Sequence, residues 1–137
     1  FDASHSPEAD DATLARQAAD EDRILLTRDL DLLKRRVVRL GYRVRNTRPR
    51  QQLAEVAAQF SLAERSRPFT RCLACGEHLT GASLDEVAGR IPAGVAARHR
   101  AFHTCPGCGR VYWPGSHHRR LTALIEEVLA RPPRAGT

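Results

Sequence analysis

Two short stretches carry all four cysteines of the chain: "CLACG", with Cys72 and Cys75, and "CPGCG", with Cys105 and Cys108. In each, a two-residue gap lets both sulfurs turn towards one point. The glycine that follows, Gly76 or Gly109, relieves the tight bend that aims backbone amides at thiolate. Twenty-nine residues lie between Cys75 and Cys105, more than the roughly 15–20 common between such pairs. The excess reads as an insertion, "EHLTGASLDEVAGRIPAGVAARHRAFHT", that leaves the ligands undisturbed. Disulfides fit poorly with a chain that shows no export signal, and a redox dithiol does not ordinarily come twice, each copy with a trailing glycine. The spacing therefore predicts one tetrahedral zinc held by Cys72, Cys75, Cys105 and Cys108, a closed site that is structural because four thiolates leave no open position. With four thiolates present, His103, His117 and His118 are not needed as ligands. His117 and His118 are expected on the surface beside Arg119 and Arg120, within reach of phosphate.

A second group of chemically capable residues lies in "RILLTRDLDLL", where Asp29 and Asp31 follow closely on an apolar run. A carboxylate at the end of a buried strand is costly unless something pairs with it. Two readings stay open. Asp29 could cap a helix, with Asp31 in its first turn. Alternatively, the pair could hold a divalent cation beyond the carboxyl end of a parallel strand, where functional crevices lie. Charge is uneven around them. Residues 1–33 hold nine Asp or Glu against three Arg, and residues 34–50 hold eight Lys or Arg and no acid. An acidic patch beside a basic stripe suits a metal-dependent nuclease, the cations filling the first and phosphates lying along the second. The same runs could simply be solvated helix faces.

The elements that must position these residues are legible as an alternation. Residues 11–21 place Leu14, Ala15, Ala18 and Ala19 at helical spacing, with Ser6, Asp10 or Asp11 available as cap. Ile24, Leu25 and Leu26 form an apolar run without alternation, as expected of a parallel strand covered on both faces. A helix is expected over residues 30–40, stopping at Gly41. The stretch "YRVRNT" reads as a strand, and residues 51–60 as a helix through Leu53, Val56, Ala57 and Phe60. Helix, strand, helix, strand, helix is the pattern of an α/β fold with a parallel sheet. After a linker, "SLAERSRPFT", come the cysteine turns. Residues 116–130 then close the chain as an amphipathic helix with the stripe Leu121, Leu124, Ile125, Val128 and Leu129, capped by Ser116 and stopped by Pro132.

The chain has 137 residues and a net charge of +6, enough for one ordinary domain or two small ones. It contains no Met, so Phe1 is not expected to be a native start. No run approaches the length of a membrane span and no signal peptide opens the chain. A cytoplasmic protein with no membrane partner is the expectation.

Taken together, "DDATLARQAADEDRILLTRDLDLL", "RCLACGEHL" and "CPGCGRVYWPGSHHRRL" resemble the Mut-7 C-terminal RNase domain family, over about residues 1–129 and in the family's order. The resemblance implies a PIN-like parallel sheet flanked by helices over residues 1–62, a zinc ribbon over 63–115 and a C-terminal helix and tail over 116–137. It also implies catalytic ligands for Mg²⁺ or Mn²⁺ at Asp11, Asp29 and Asp31, with Asp10 an alternative to Asp11 because adjacent acids leave the register ambiguous. Family members begin with a strand ending in Asp and a helix rich in Arg and Leu. These are absent here, so they are expected upstream, the first strand of the sheet with them, and the chain as given is expected to be nearly inactive. Some relatives carry a ubiquitin-like domain further upstream.

The function expected is a metal-dependent ribonuclease. Lys34, Arg35, Arg36, Arg39, Arg43 and Arg45 would bind the RNA backbone, which carries no sequence information, and the zinc ribbon would assist. Tyr112 and Trp113 either stack on a base or pack against the ribbon or last helix. A non-catalytic RNA- or ribosome-binding module fits the basic composition equally, and an adaptor acting through the last helix is a third reading.

Overall fold

The computed structural model describes residues 1–130 and divides them into two compact units, one from Ser4 to Leu62 and one from Ala63 to Ala130 together with Phe1–Ala3. The fold is mixed α/β, with a parallel sheet and helices in the first unit and an antiparallel sheet around the cysteines in the second. Among the described residues no helix is long and apolar enough to cross a membrane.

In the first unit α1 (Asp11–Asp20) starts at Asp10, whose carboxylate accepts a hydrogen bond from the Thr13 amide at 2.7 Å. Ala15, Ala18 and Ala19 share one face and are buried, small side chains that let the helix sit close to its neighbours. Strand β1 (Leu25–Thr27) pairs in parallel with β2 (Gly41–Arg43), Leu25 opposite Gly41 and Thr27 opposite Arg43. The single-turn helix α2 (Leu30–Leu33) lies in the crossover. A Cβ on Gly41 would stand 2.6 Å from Leu33 Cδ2, so a side chain there would make Leu33 shift. Helix α3 (Pro49–Gln59) opens with proline at its first position, where a missing N–H costs nothing. Phe60, just past it, meets Tyr42 edge-on with ring centroids 5.5 Å apart.

Three expectations are corrected here. The helix expected over residues 30–40 ends at Leu33, and Arg35 and Val38 turn back on Leu32 and Arg35 through backbone bonds. Two β-branched valines and the like charges of Arg35 and Arg39, four residues apart, weaken a helix there, and Leu40 comes back to accept from the Leu25 amide at 2.9 Å. The strand expected to be covered on both faces is covered on one: Leu25 and Thr27 are half-buried but Leu26 is 46% exposed. Of the stripe expected on α3, Ala57 is buried and Leu53 is exposed.

Helix α4 (Leu62–Arg65) carries the chain into the second unit. There β3 (Thr80–Ala82), β4 (Phe102–Thr104) and β5 (Val111–Tyr112) form an antiparallel sheet in that order. Between β3 and β4 the insertion folds as α5 (Leu84–Val87), started by a reciprocal Ser83–Glu86 capping box, a short 3₁₀ turn and α6 (Ala93–Arg98). Val87 and Phe102 are its most completely buried large side chains. Helix α7 (Ser116–Leu129) buries Val128 and half-buries Leu121, Leu124, Ile125 and Leu129. Its N-cap is Gly115 rather than Ser116. A Cβ at Gly115 would come within 3.1 Å of the Trp113 indole nitrogen. Pro132 lies outside the described residues.

Candidate metal centre and acidic sheet edge

The two cysteine turns are built alike. In the first, the Cys72 amide donates to the Glu77 carbonyl at 2.8 Å and the Gly76 amide to the Cys72 carbonyl at 2.9 Å. In the second, Cys105 and Arg110, then Gly109 and Cys105, do the same at 2.9 Å each. Gly76 and Gly109 take φ of +77° and +76°, the left-handed region that the sharp reversal demands and that other side chains resist. The result brings all four sulfurs within 4.8 Å of one another. Cys72 Sγ lies 3.5 Å from Cys108 Sγ, and Cys75 Sγ lies 3.4 Å from Cys105 Sγ. These are far longer than a disulfide bond of about 2.05 Å. They approach the spacing of about 3.8 Å that four Zn–S bonds of about 2.3 Å give at tetrahedral angles. The four cysteines could hold a zinc ion.

Electrostatics argues the same way. Burial works against ionisation of Cys72, but the Tyr112 hydroxyl, the Cys75 and Ala74 amides and the Cys108 sulfur together bring its thiol down to about 6. At Cys75 the Glu77 amide pulls the thiol down, yet the Cys105 sulfur, burial and the other two sulfurs push it up to about 12. Four crowded thiols cannot all lose protons unless a cation sits among them.

At the acidic end of the first unit, Asp29 stands just past the carboxyl end of β1. Its amide donates to Thr27 Oγ1 at 3.1 Å, and its Oδ1 accepts from the amides of Asp31 at 2.8 Å and Leu32 at 3.4 Å. Asp29 is thus the N-cap of α2. Both cap bonds go to one oxygen, so capping and cation binding through the other are compatible. Asp31 lies in the first turn and pairs with Lys34 at 3.1 Å, both exposed. Asp11 is exposed at the start of α1, and Asp10 beside it is the cap; the Thr13 amide and hydroxyl, with Arg16 and Arg35 further off, hold the Asp10 carboxyl below its ordinary value. Among the described residues the four cysteines are the one set of three or more Cys, His, Asp or Glu whose ligand atoms converge. Asp11, Asp29 and Asp31 do not converge in that way.

Lys34, Arg35, Arg36, Arg39, Arg43 and Arg45 are all exposed. Two of them meet acids of the same unit, Lys34 with Asp31 and Arg39 with Asp22 at 3.6 Å. At the carboxyl end of β2, where the Val44 amide bonds the Thr27 carbonyl at 2.8 Å, Glu55 fastens the loop that follows. Its carboxylate accepts from the Arg45 amide at 2.8 Å, the Asn46 amide at 3.0 Å, the Asn46 side chain and the Tyr42 hydroxyl at 3.0 Å. Burial alone would raise its carboxyl, but these donors outweigh burial and pull it down to about 2.

Sequence reasoning missed Glu55, whose partners lie 9 to 13 residues away and leave no local signature. It left Tyr112 between base stacking and packing, whereas the hydroxyl reaches Cys72 Sγ at 3.0 Å. His118, expected beside phosphate, stacks on Phe69 with ring centroids 3.8 Å apart.

Comparison with known proteins gives three results. The profile of the Mut7-C RNAse domain matches residues 1–125. A segment of 45 residues is 38% identical to the exonuclease mut-7 homolog of Homo sapiens, covering 31% of this chain and 5% of that protein. No solved structure matches.

Proposed function

The chain belongs to the Mut7-C RNAse domain family, and on that footing we propose that it serves a metal-dependent ribonuclease in which the first unit carries the acids and the second a structural zinc. The observation that supports the first part is the position of Asp29, past the carboxyl end of a parallel strand, where α/β folds place their chemistry, and next to an arginine-rich crossover. In this reading Asp29, with Asp11 and Asp31, offers carboxylate oxygens to Mg²⁺ or Mn²⁺. Such an ion, when bound, lowers the pKa of a water and stabilises the departing oxygen of the phosphodiester. Asp29 holds the start of α2 with one oxygen and presents the other. Lys34, Arg35, Arg36, Arg39, Arg43 and Arg45 position the RNA backbone by charge, without reading bases. Cys72, Cys75, Cys105 and Cys108 close on zinc and contribute folding energy rather than chemistry. A cytoplasmic setting fits, because reducing conditions keep four thiolates available.

A second reading, a non-catalytic RNA-binding module, is favoured by one observation: Asp29 already works as a cap and Asp31 already faces Lys34. Titration of Mn²⁺ into the isotope-labelled chain separates the two. The first reading expects paramagnetic broadening centred on the amides of residues 29–32, weakened by Asp29→Asn. Broadening spread evenly over surface acids would favour the second.

A further inference from the structure

The two cysteine turns match residue for residue in backbone bonding, but they differ at the position four past each pair. The first has Leu79 and the second has Tyr112. Tyr112 Oη accepts a hydrogen bond from the Leu73 amide at 3.2 Å and lies 3.0 Å from Cys72 Sγ. A metal-bound cysteine is a thiolate and has no proton to give. The phenol has one proton, and its acceptor side is already turned to Leu73. The only consistent arrangement is therefore Leu73 N–H to Tyr112 oxygen, and Tyr112 O–H to Cys72 sulfur. Cys105, the corresponding cysteine of the second turn, receives the Cys108 amide at 3.4 Å; no hydroxyl bonds it among the described residues. Exposure divides the cysteines differently: Cys72 and Cys105 are buried, while Cys75 and Cys108 are exposed.

We propose that Tyr112 is a positioning residue of the four-cysteine centre, its hydroxyl holding the Cys72 thiolate in place and so slowing loss of the metal. The proposal rests on the reading that the four cysteines bind zinc. A competing chelator meets the exposed Cys75 and Cys108 first. Cys72 and Cys105 would then be the ligands left to retain the ion, and how firmly Cys72 is oriented would decide how well they do so. A hydroxyl that donates to a ligand sulfur acts as partners of metal ligands generally do, by fixing orientation at the metal.

The test uses the whole chain loaded with zinc, its metal content measured first. Excess 4-(2-pyridylazo)resorcinol then draws off the ion, and release is followed by colour. Tyr112→Phe, which removes only the hydroxyl, should release zinc about 10-fold faster or more from equal starting content, and should shift the sulfur-to-metal charge-transfer bands of the Co²⁺-loaded protein. Equal release rates and superimposable Co²⁺ spectra would overturn the proposal. Wild-type protein that holds no zinc would instead overturn the reading beneath it. Should the variant not fold, ¹¹³Cd-loaded wild-type protein decides: a Tyr112 hydroxyl proton protected from exchange supports the hydrogen bond, and one exchanging freely with water refutes it.

Discussion

Glu55 and Asn46 are joined twice, the carboxylate of Glu55 accepting both the backbone amide and the side-chain amide of Asn46. With the Arg45 amide and Tyr42 hydroxyl as further donors, one side chain of α3 fixes the loop after β2. The folded carboxyl titrates at about 2, against a reference value of 4.5. A depressed folded value means that the stabilisation is fully present above about 4.5 and fades as pH falls towards 2. Glu55→Gln should lower the stability of the first unit by about 1–2 kcal/mol at neutral pH, since one carboxylate oxygen becomes a donor facing donors. It should also flatten the acid-induced loss between pH 4.5 and 2. Thermal unfolding of both proteins across that range checks the sign.

The second unit should depend on metal. Zinc analysis of reduced, freshly purified protein is expected to give about one ion per chain. Its removal by chelation, or Cys105→Ser, should unfold the region around residues 70–115 while the helices of residues 4–62 persist, because metal binding energy in a four-thiolate site is folding energy. Amide exchange resolved by residue would show this. Full protection of β3, β4 and β5 without metal would contradict it.

RNA affinity should fall steeply with salt if the stripe at residues 34–45 lies on phosphates. Arg35→Ala combined with Arg36→Ala is expected to reduce the slope of log affinity against log salt by about 1.4, at about 0.7 per phosphate contact on a single strand. Binding measured at several salt concentrations tests this, and an unchanged slope would take both residues off the binding face.

How far the sequence reveals this fold depends on whether the decisive interaction is local. The turns at Cys72 and Cys105 are legible because both sulfurs, the bend and its glycine lie within five residues. Helices α1 and α7 are legible through Ala15, Ala18 and Ala19 and through Leu121 to Leu129, where burial follows helical spacing. Helix α2 is misjudged because Leu30–Leu33 is continued by residues that fit a helical pattern, while the return of Leu40 to the Leu25 amide is set by tertiary pairing. The exposed Leu26 is missed for a related reason: an apolar run states what could be buried, and what packs over each face of the sheet decides what is. The partners of Glu55 and Tyr112 are set by tertiary placement, Cys72 and Tyr112 being 40 residues apart. At Asp29 the sequence offers cap and ligand together, and the structure shows the cap in place with one oxygen bonded.

The role of Asp29 as ligand is tested most directly by Asp29→Asn in the full-length gene product, assayed for Mn²⁺- or Mg²⁺-dependent cleavage of single-stranded RNA. Asparagine caps a helix about as well as aspartate, so α2 and the fold should survive, as circular dichroism and unfolding would show. The charge that holds the cation is lost. The account predicts that cleavage disappears while the protein remains folded and still binds RNA. Undiminished metal-dependent cleavage with asparagine at position 29 would contradict it and leave Asp29 as a cap alone.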